Sequence, residues 1–135
     1  MVFIVWKNDM NIGVAAMDAQ HQKLVQLINK LADAMSAGKG NEVLQSVLTE
    51  LVGYIKTHFA SEEGLLSTNK YPEYGTQKTE HDRFTKKIVD FQDQFRAGKI
   101  AISIELMNFL KEWLLGHIQG RDKLYGIFLN AKNIS

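Results

Sequence analysis

Four long stretches of this chain carry apolar residues at alternating three- and four-residue steps, a pattern that draws one face on a helix. From about Asp18 to Met35 the stripe is Leu24, Leu27, Ile28, Leu31 and Met35. From about Glu42 to Leu66 it is Leu44, Val47, Leu48, Leu51, Ile55, His58, Phe59 and Glu62. From about Tyr74 to Phe95 it is Tyr74, Gln77, His81, Phe84, Ile88, Phe91 and Phe95. From about Ile104 to Ile118, with a continuation toward Phe128, it is Met107, Leu110, Trp113, Leu114, His117 and Ile118. Breaks fall at 8–13, 36–41, 67–75 and 97–103, each carrying Gly, Asn, Ser or Pro. Asp18 is expected to cap the first helix, and Gly38 and Gly40 follow its end, where left-handed backbone is needed. Helices of this length joined by short connections predict an all-α fold: an antiparallel, up-down-up-down four-helix bundle. Residues 1–12 form an N-terminal arm outside it.

The chain has 135 residues and 45% hydrophobic content, enough for the buried core of one domain spanning 1–135. A formal net charge of +1 shows no electrostatic footprint for nucleic acid. The absence of cysteine excludes disulfides, thiolate nucleophiles, iron–sulfur clusters and Cys-type zinc sites. No apolar run is long enough to cross a membrane. The apolar start, Met1 to Trp6, is too short for a signal peptide and lacks a basic region before it. A cytoplasmic protein is the expectation. The end at Asn133, Ile134 and Ser135 carries neither linker nor heptads, which favours a free-standing protein.

The functional argument rests on the four histidines. His21 is near the start of helix one, His58 late in helix two, His81 early in helix three and His117 late in helix four. In an up-down-up-down bundle the start of one helix lies beside the end of the next, so all four gather at one end of the core. Two carboxylates join them. His58 and Glu62, four apart, share a face; His117 and Asp122, five apart, share one if the helix loosens near Gly120. A single His on an apolar face is more often a satisfied core residue. Four imidazoles and two carboxylates are too many buried polar groups for a plain core, because each costs several kcal/mol without a partner. A metal offsets that cost, and two metals would use all six. Glu63 is read as solvated, Lys78, Lys86 and Lys87 as exposed helix face, and Phe59 and Trp113 as core.

Imidazole with carboxylate and no sulfur suits iron, zinc, manganese or copper. The His-Glu-x-x-His motif of zinc proteases and the paired Glu-x-x-His of ferritin-like oxidases are both absent. A His-rich, carboxylate-poor set puts little negative charge on its metals, which favours reversible ligand binding over oxidative turnover.

These residues resemble the hemerythrins of bacteria. The likeness is carried by Met17 to His21, His58 to Glu63, Tyr71 to Tyr74, Glu80 to Phe84 and Trp113 to Tyr125, and it covers nearly the whole chain. The resemblance implies two iron ions with an oxo or hydroxo bridge, dioxygen as the ligand, and Glu62 and Asp122 as bridging carboxylates. It implies His21 and His58 on the iron that keeps an open position, and His81 and His117 on the other. It also implies an oxygen pocket of Leu24, Phe59, Trp113, Leu114 and Ile118 that excludes water. The expected function is oxygen carriage or storage, not catalysis.

One position departs from the family pattern. Gln77 stands where a fifth His is usual, as the third imidazole on the second iron. Three outcomes are open. Gln77 coordinates weakly through its amide oxygen, water fills the gap, or the second iron binds loosely. A weakened but occupied site is expected, because six of the seven usual ligands remain. An oxygen or redox sensor and a di-iron peroxidase-like enzyme are the alternatives to a carrier, and a redox-silent zinc site is the plainest one.

Overall fold

The computed structural model describes residues 3–135; Met1 and Val2 of the expected arm lie outside the described residues. A 3-10 turn at Asn8–Met10 precedes helix α1 (Ala15–Ser36). Then come α2 (Asn41–Thr68), α3 (Tyr74–Arg96) and α4 (Ile104–His117). A π turn over Ile118–Asp122 joins α4 directly to α5 (Lys123–Ala131), so the fourth rod of the bundle runs on well past the apolar stripe that marks it. No strand occurs among the described residues. Helix α2 packs between α1 and α3, and α4 closes the bundle against α1.

The predicted stripes are the core. Leu24, Leu31, Leu48, Leu51, Ile88, Met107 and Leu110 are all but inaccessible to solvent. Helix α1 stops where Gly38 takes a φ of +69°, and the Lys39 N–H bonds back to Ala34 O at 3.1 Å. The Ser103 hydroxyl caps α4 by accepting from Leu106 N–H at 3.2 Å.

Two expectations are corrected at the N-terminus. Helix α1 begins at Ala15, with Val14 and not Asp18 at its cap. Asp18 sits inside the first turn and accepts the Ile12 N–H at 2.7 Å, so its carboxylate fastens the arm instead of the helix end. Nor does the arm lie outside the bundle. Ile4, Met10 and Ile12 are buried, and Asn29 holds Ile4 by both its backbone groups, at 2.7 and 2.9 Å. The arm crosses α5 at Gly126, where any Cβ would collide with the Ile12 carbonyl. A short apolar segment beside a bundle gains more by covering the core than by facing water.

Candidate metal centre

All seven polar residues singled out by the sequence meet in one buried cluster: His21, His58, Glu62, Gln77, His81, His117 and Asp122. The most exposed, His117, is 7% accessible. Helices α1, α2, α3 and α4 and the π turn each bring their share to one end of the bundle. The π turn is what brings His117 and Asp122 together, with His117 Nε2 3.3 Å from Asp122 Oδ1. On a regular helix five residues turn through about 500°, which would leave Asp122 on another face. The loosening foreseen near Gly120 therefore exists, as a π turn.

The two carboxylates each offer their two oxygens to different sides. Glu62 Oε2 lies 3.0 Å from His21 Nε2 and 3.3 Å from His58 Nε2, while Oε1 lies 3.1 Å from His81 Nε2. Asp122 Oδ2 lies 3.2 Å from His21 Nε2, while Oδ1 faces His117. Two groups of converging donors result, one of His21, His58 and Glu62, the other of Glu62, His81, His117 and Asp122. Glu62 belongs to both.

Outside this ring a second set of side chains orients the imidazoles. Gln20 Oε1 lies 2.7 Å from His58 Nδ1, Glu63 Oε2 lies 2.8 Å from His81 Nδ1, and Glu80 Oε2 lies 3.2 Å from His117 Nδ1. The acceptors on His58 and His81 hold the proton on Nδ1 and leave those Nε2 lone pairs pointing inward, while Glu80 sets its charge beside the His117 ring. Glu63 is thus not the solvated residue expected from the sequence: its side chain is only 15% exposed and is engaged with His81. Gln20 and Glu80 escaped the sequence reading, though a signal was present. Gln20, Glu63 and Glu80 each adjoin a candidate donor on one helix and reach the histidine of the next, because neighbouring residues on a helix point about 100° apart. His21 alone has no such acceptor; its Nδ1 is buried without a partner. Tyr125, also unforeseen, donates its hydroxyl to Glu62 Oε2 at 2.5 Å.

The electrostatics reflect this crowding. Burial lowers the His21 imidazole, but hydrogen bonds to Asp122 and Glu62 reverse the sign and carry it up to about 9. Burial opposes ionisation of Glu62, yet His21, His58 and His81 hold its carboxyl well below the usual range. His81 is raised by Glu62 and Glu63 against the effect of burial. His117 is lowered, by burial first and by repulsion from His81. The Tyr125 hydroxyl is pushed far up by burial and by Glu62.

Does this set fit a cation? His81 Nε2 and Glu62 Oε1 stand 3.1 Å apart without a hydrogen-bond partner between them. With Nδ1 donating to Glu63, that Nε2 is an acceptor, so two acceptors face each other. Only a proton or a cation between them resolves the arrangement, and the borderline nitrogens with hard carboxylate oxygens suit iron or zinc. Of the apolar residues expected around the site, Phe59 and Trp113 stack on its imidazoles. Leu24, Phe59, Leu114 and Ile118 are buried and Trp113 is partly so. Phe59 stacks on His81 at 3.8 Å between centroids and Trp113 on His117 at 4.5 Å.

A helical bundle with imidazoles and carboxylates closed into one buried cluster at its end defines a cation-binding bundle domain. Residues 12–127 match the family model of the hemerythrin HHE cation binding domain. The chain belongs to the hemerythrin family, whose members are oxygen-binding non-haem iron proteins. A bacteriohemerythrin of Stenotrophomonas maltophilia is 35% identical over 125 residues, covering 93% of this chain and 80% of that one. One of Methylococcus capsulatus is 35% identical over 121 residues, 90% of either chain. A crystal structure of wild-type hemerythrin has a TM-score of 0.87 at 31% identity, covering 92% of this chain and 95% of that one. A leucine-to-alanine hemerythrin variant gives 0.88 at 30% identity, covering 93% and 96%. No helix of the described residues is long and apolar enough to cross a membrane.

Proposed function

We propose that this chain, as one domain over 1–135, is a cytoplasmic carrier or store of dioxygen. Its site holds a pair of iron ions through His21, His58, Glu62, His81, His117 and Asp122, with Gln77 inside the same cluster. The observation that carries this reading is the division of oxygens: Glu62 and Asp122 each present one oxygen to the His21 side and the other to a second side. Bound there, an iron pair would supply reversible two-electron chemistry toward dioxygen.

The chain's own residues make such an exchange reversible. Gln20, Glu63 and Glu80 fix three of the imidazoles, so that donor positions need not reorganise when charge at the centre changes. Leu24, Phe59, Leu114 and Ile118 keep water from the reacting atoms. The Tyr125 hydroxyl anchors Glu62 from behind, with its proton held by burial and by that carboxylate.

The test is metal analysis with a visible spectrum of the reduced protein, first without air and then with it. Two irons per chain and a charge-transfer band that appears in air and disappears on deoxygenation are expected. Immediate, permanent oxidation, or rapid peroxide turnover with a reducing co-substrate, would replace the carrier reading with the peroxidase-like one. A single iron, or zinc alone, would remove the di-iron reading.

A further inference from the structure

Gln77 is 1% exposed. Its amide nitrogen lies 2.6 Å from Asp122 Oδ1 and 3.2 Å from His117 Nε2. The contact to Asp122 is a hydrogen bond from the amide N–H to a carboxylate oxygen. The amide is therefore committed to Asp122. Its second N–H is directed at His117 Nε2, and once that lone pair is given to a cation the N–H is left over as a donor inside the site.

The imidazoles then divide evenly. His21 and His58 serve one half, His81 and His117 the other, and Glu62 and Asp122 reach both. Neither half has a third imidazole. A surface cleft also runs along the outer side of His117. The cleft, of about 900 Å³, is lined by Glu80, Trp113, Gly116, His117, Gly120 and Arg121. Apart from its chain neighbours and nearby helix backbone, nothing stands within 4 Å of where a Cβ would project from Gly116 or Gly120.

Resting on the dimetal reading above, we infer that Gln77 is a positioning residue for Asp122 and not a donor to the cation. The His81–His117 half thereby takes up a small exogenous anion of its own, in addition to the one taken by the His21–His58 half. The spare Gln77 N–H donates to that second anion, and a hydrogen bond to a charged acceptor is among the stronger ones.

The experiment loads the metal-free protein with cobalt(II), counts the metal, and titrates with azide by calorimetry and by the visible cobalt spectrum, which reports coordination number. Two cobalt ions and two azides per chain are expected. Gln77→His supplies the missing imidazole and should reduce the count to one azide, with two cobalt ions retained. Gln77→Ala should keep two azides but weaken the second about tenfold or more, the effect of losing one charge-assisted hydrogen bond. Two cobalt ions with a single azide in the unaltered protein would overturn the inference alone. Fewer than two cobalt ions would overturn the dimetal reading and the inference with it. The counts on the unaltered protein decide the matter even if Gln77→His fails to fold.

Discussion

His117 and Asp122 face the same buried cluster although they are five residues apart, because the turn between them is a π turn. The pairing exists only in this register. Inserting one alanine after Gln119, an exposed residue of the turn, adds about 100° of winding and swings Asp122 away from the cluster. Helix content by circular dichroism should be unchanged while bound metal falls from two ions per chain to one or none. Retention of both ions would show that Asp122 is dispensable.

Glu63 touches no candidate metal position, yet its carboxylate takes the Nδ1 proton of His81 at 2.8 Å. Glu63→Gln keeps the shape and removes the charge that makes His81 a better donor. Metal affinity should drop tenfold to a hundredfold, as roughly expected for loss of an outer carboxylate. Competition against a chelator measures it, and an unchanged affinity would mean that the bond is only packing.

The metal-free protein should respond to pH in a defined direction. The folded pKa of His21, about 9, is raised above its ordinary value of 6.5. Its proton therefore stabilises the fold, fully below pH 6.5, and that contribution is lost as pH rises through about 9. A metal ion needs the neutral imidazole, so uptake near neutral pH must expel the proton. Calorimetry in buffers of different ionisation enthalpy should show at least one proton released per chain, and affinity rising with pH up to about 9. Proton-neutral uptake would contradict this.

Gly126 lies under the Ile12 carbonyl, so Gly126→Ala forces the arm and α5 apart. Overpacking of this kind typically costs about 1–3 kcal/mol. Denaturant unfolding should show that loss, and amide exchange at Ile4 and Ile12 should speed up. Exchange rates equal to those of the unaltered protein would mean that the arm adjusts freely.

The positions of the histidines along the chain were enough to put them at one end of a bundle. Helical period is a local property of sequence, and antiparallel packing converts position along a helix into depth, so His21, His58, His81 and His117 were legible together. Glu62 followed from its spacing to His58. Asp122 followed only on condition of a distortion near Gly120, because a backbone departure of one residue is decided by packing and not by local preference. Glu63 shows the converse failure. Beside Glu62 it reads as a solvent-facing charge, and only the approach of α3 turns it into the partner of His81.

The sequence by itself determined the four helices, their core stripes, the gathering of polar residues and the kind of chemistry those residues suit. Periodicity, spacing and side-chain type need no knowledge of neighbours. The tertiary structure decided which oxygen of each carboxylate faces which imidazole, and that Gln20, Glu63 and Glu80 orient the histidines of adjacent helices. It also decided that Asp18 fastens the arm, and that the Gln77 amide is bound to Asp122. Those contacts depend on how each segment sets against its neighbours, and an apolar stripe fixes which face of a helix turns inward but not which polar atoms meet across it.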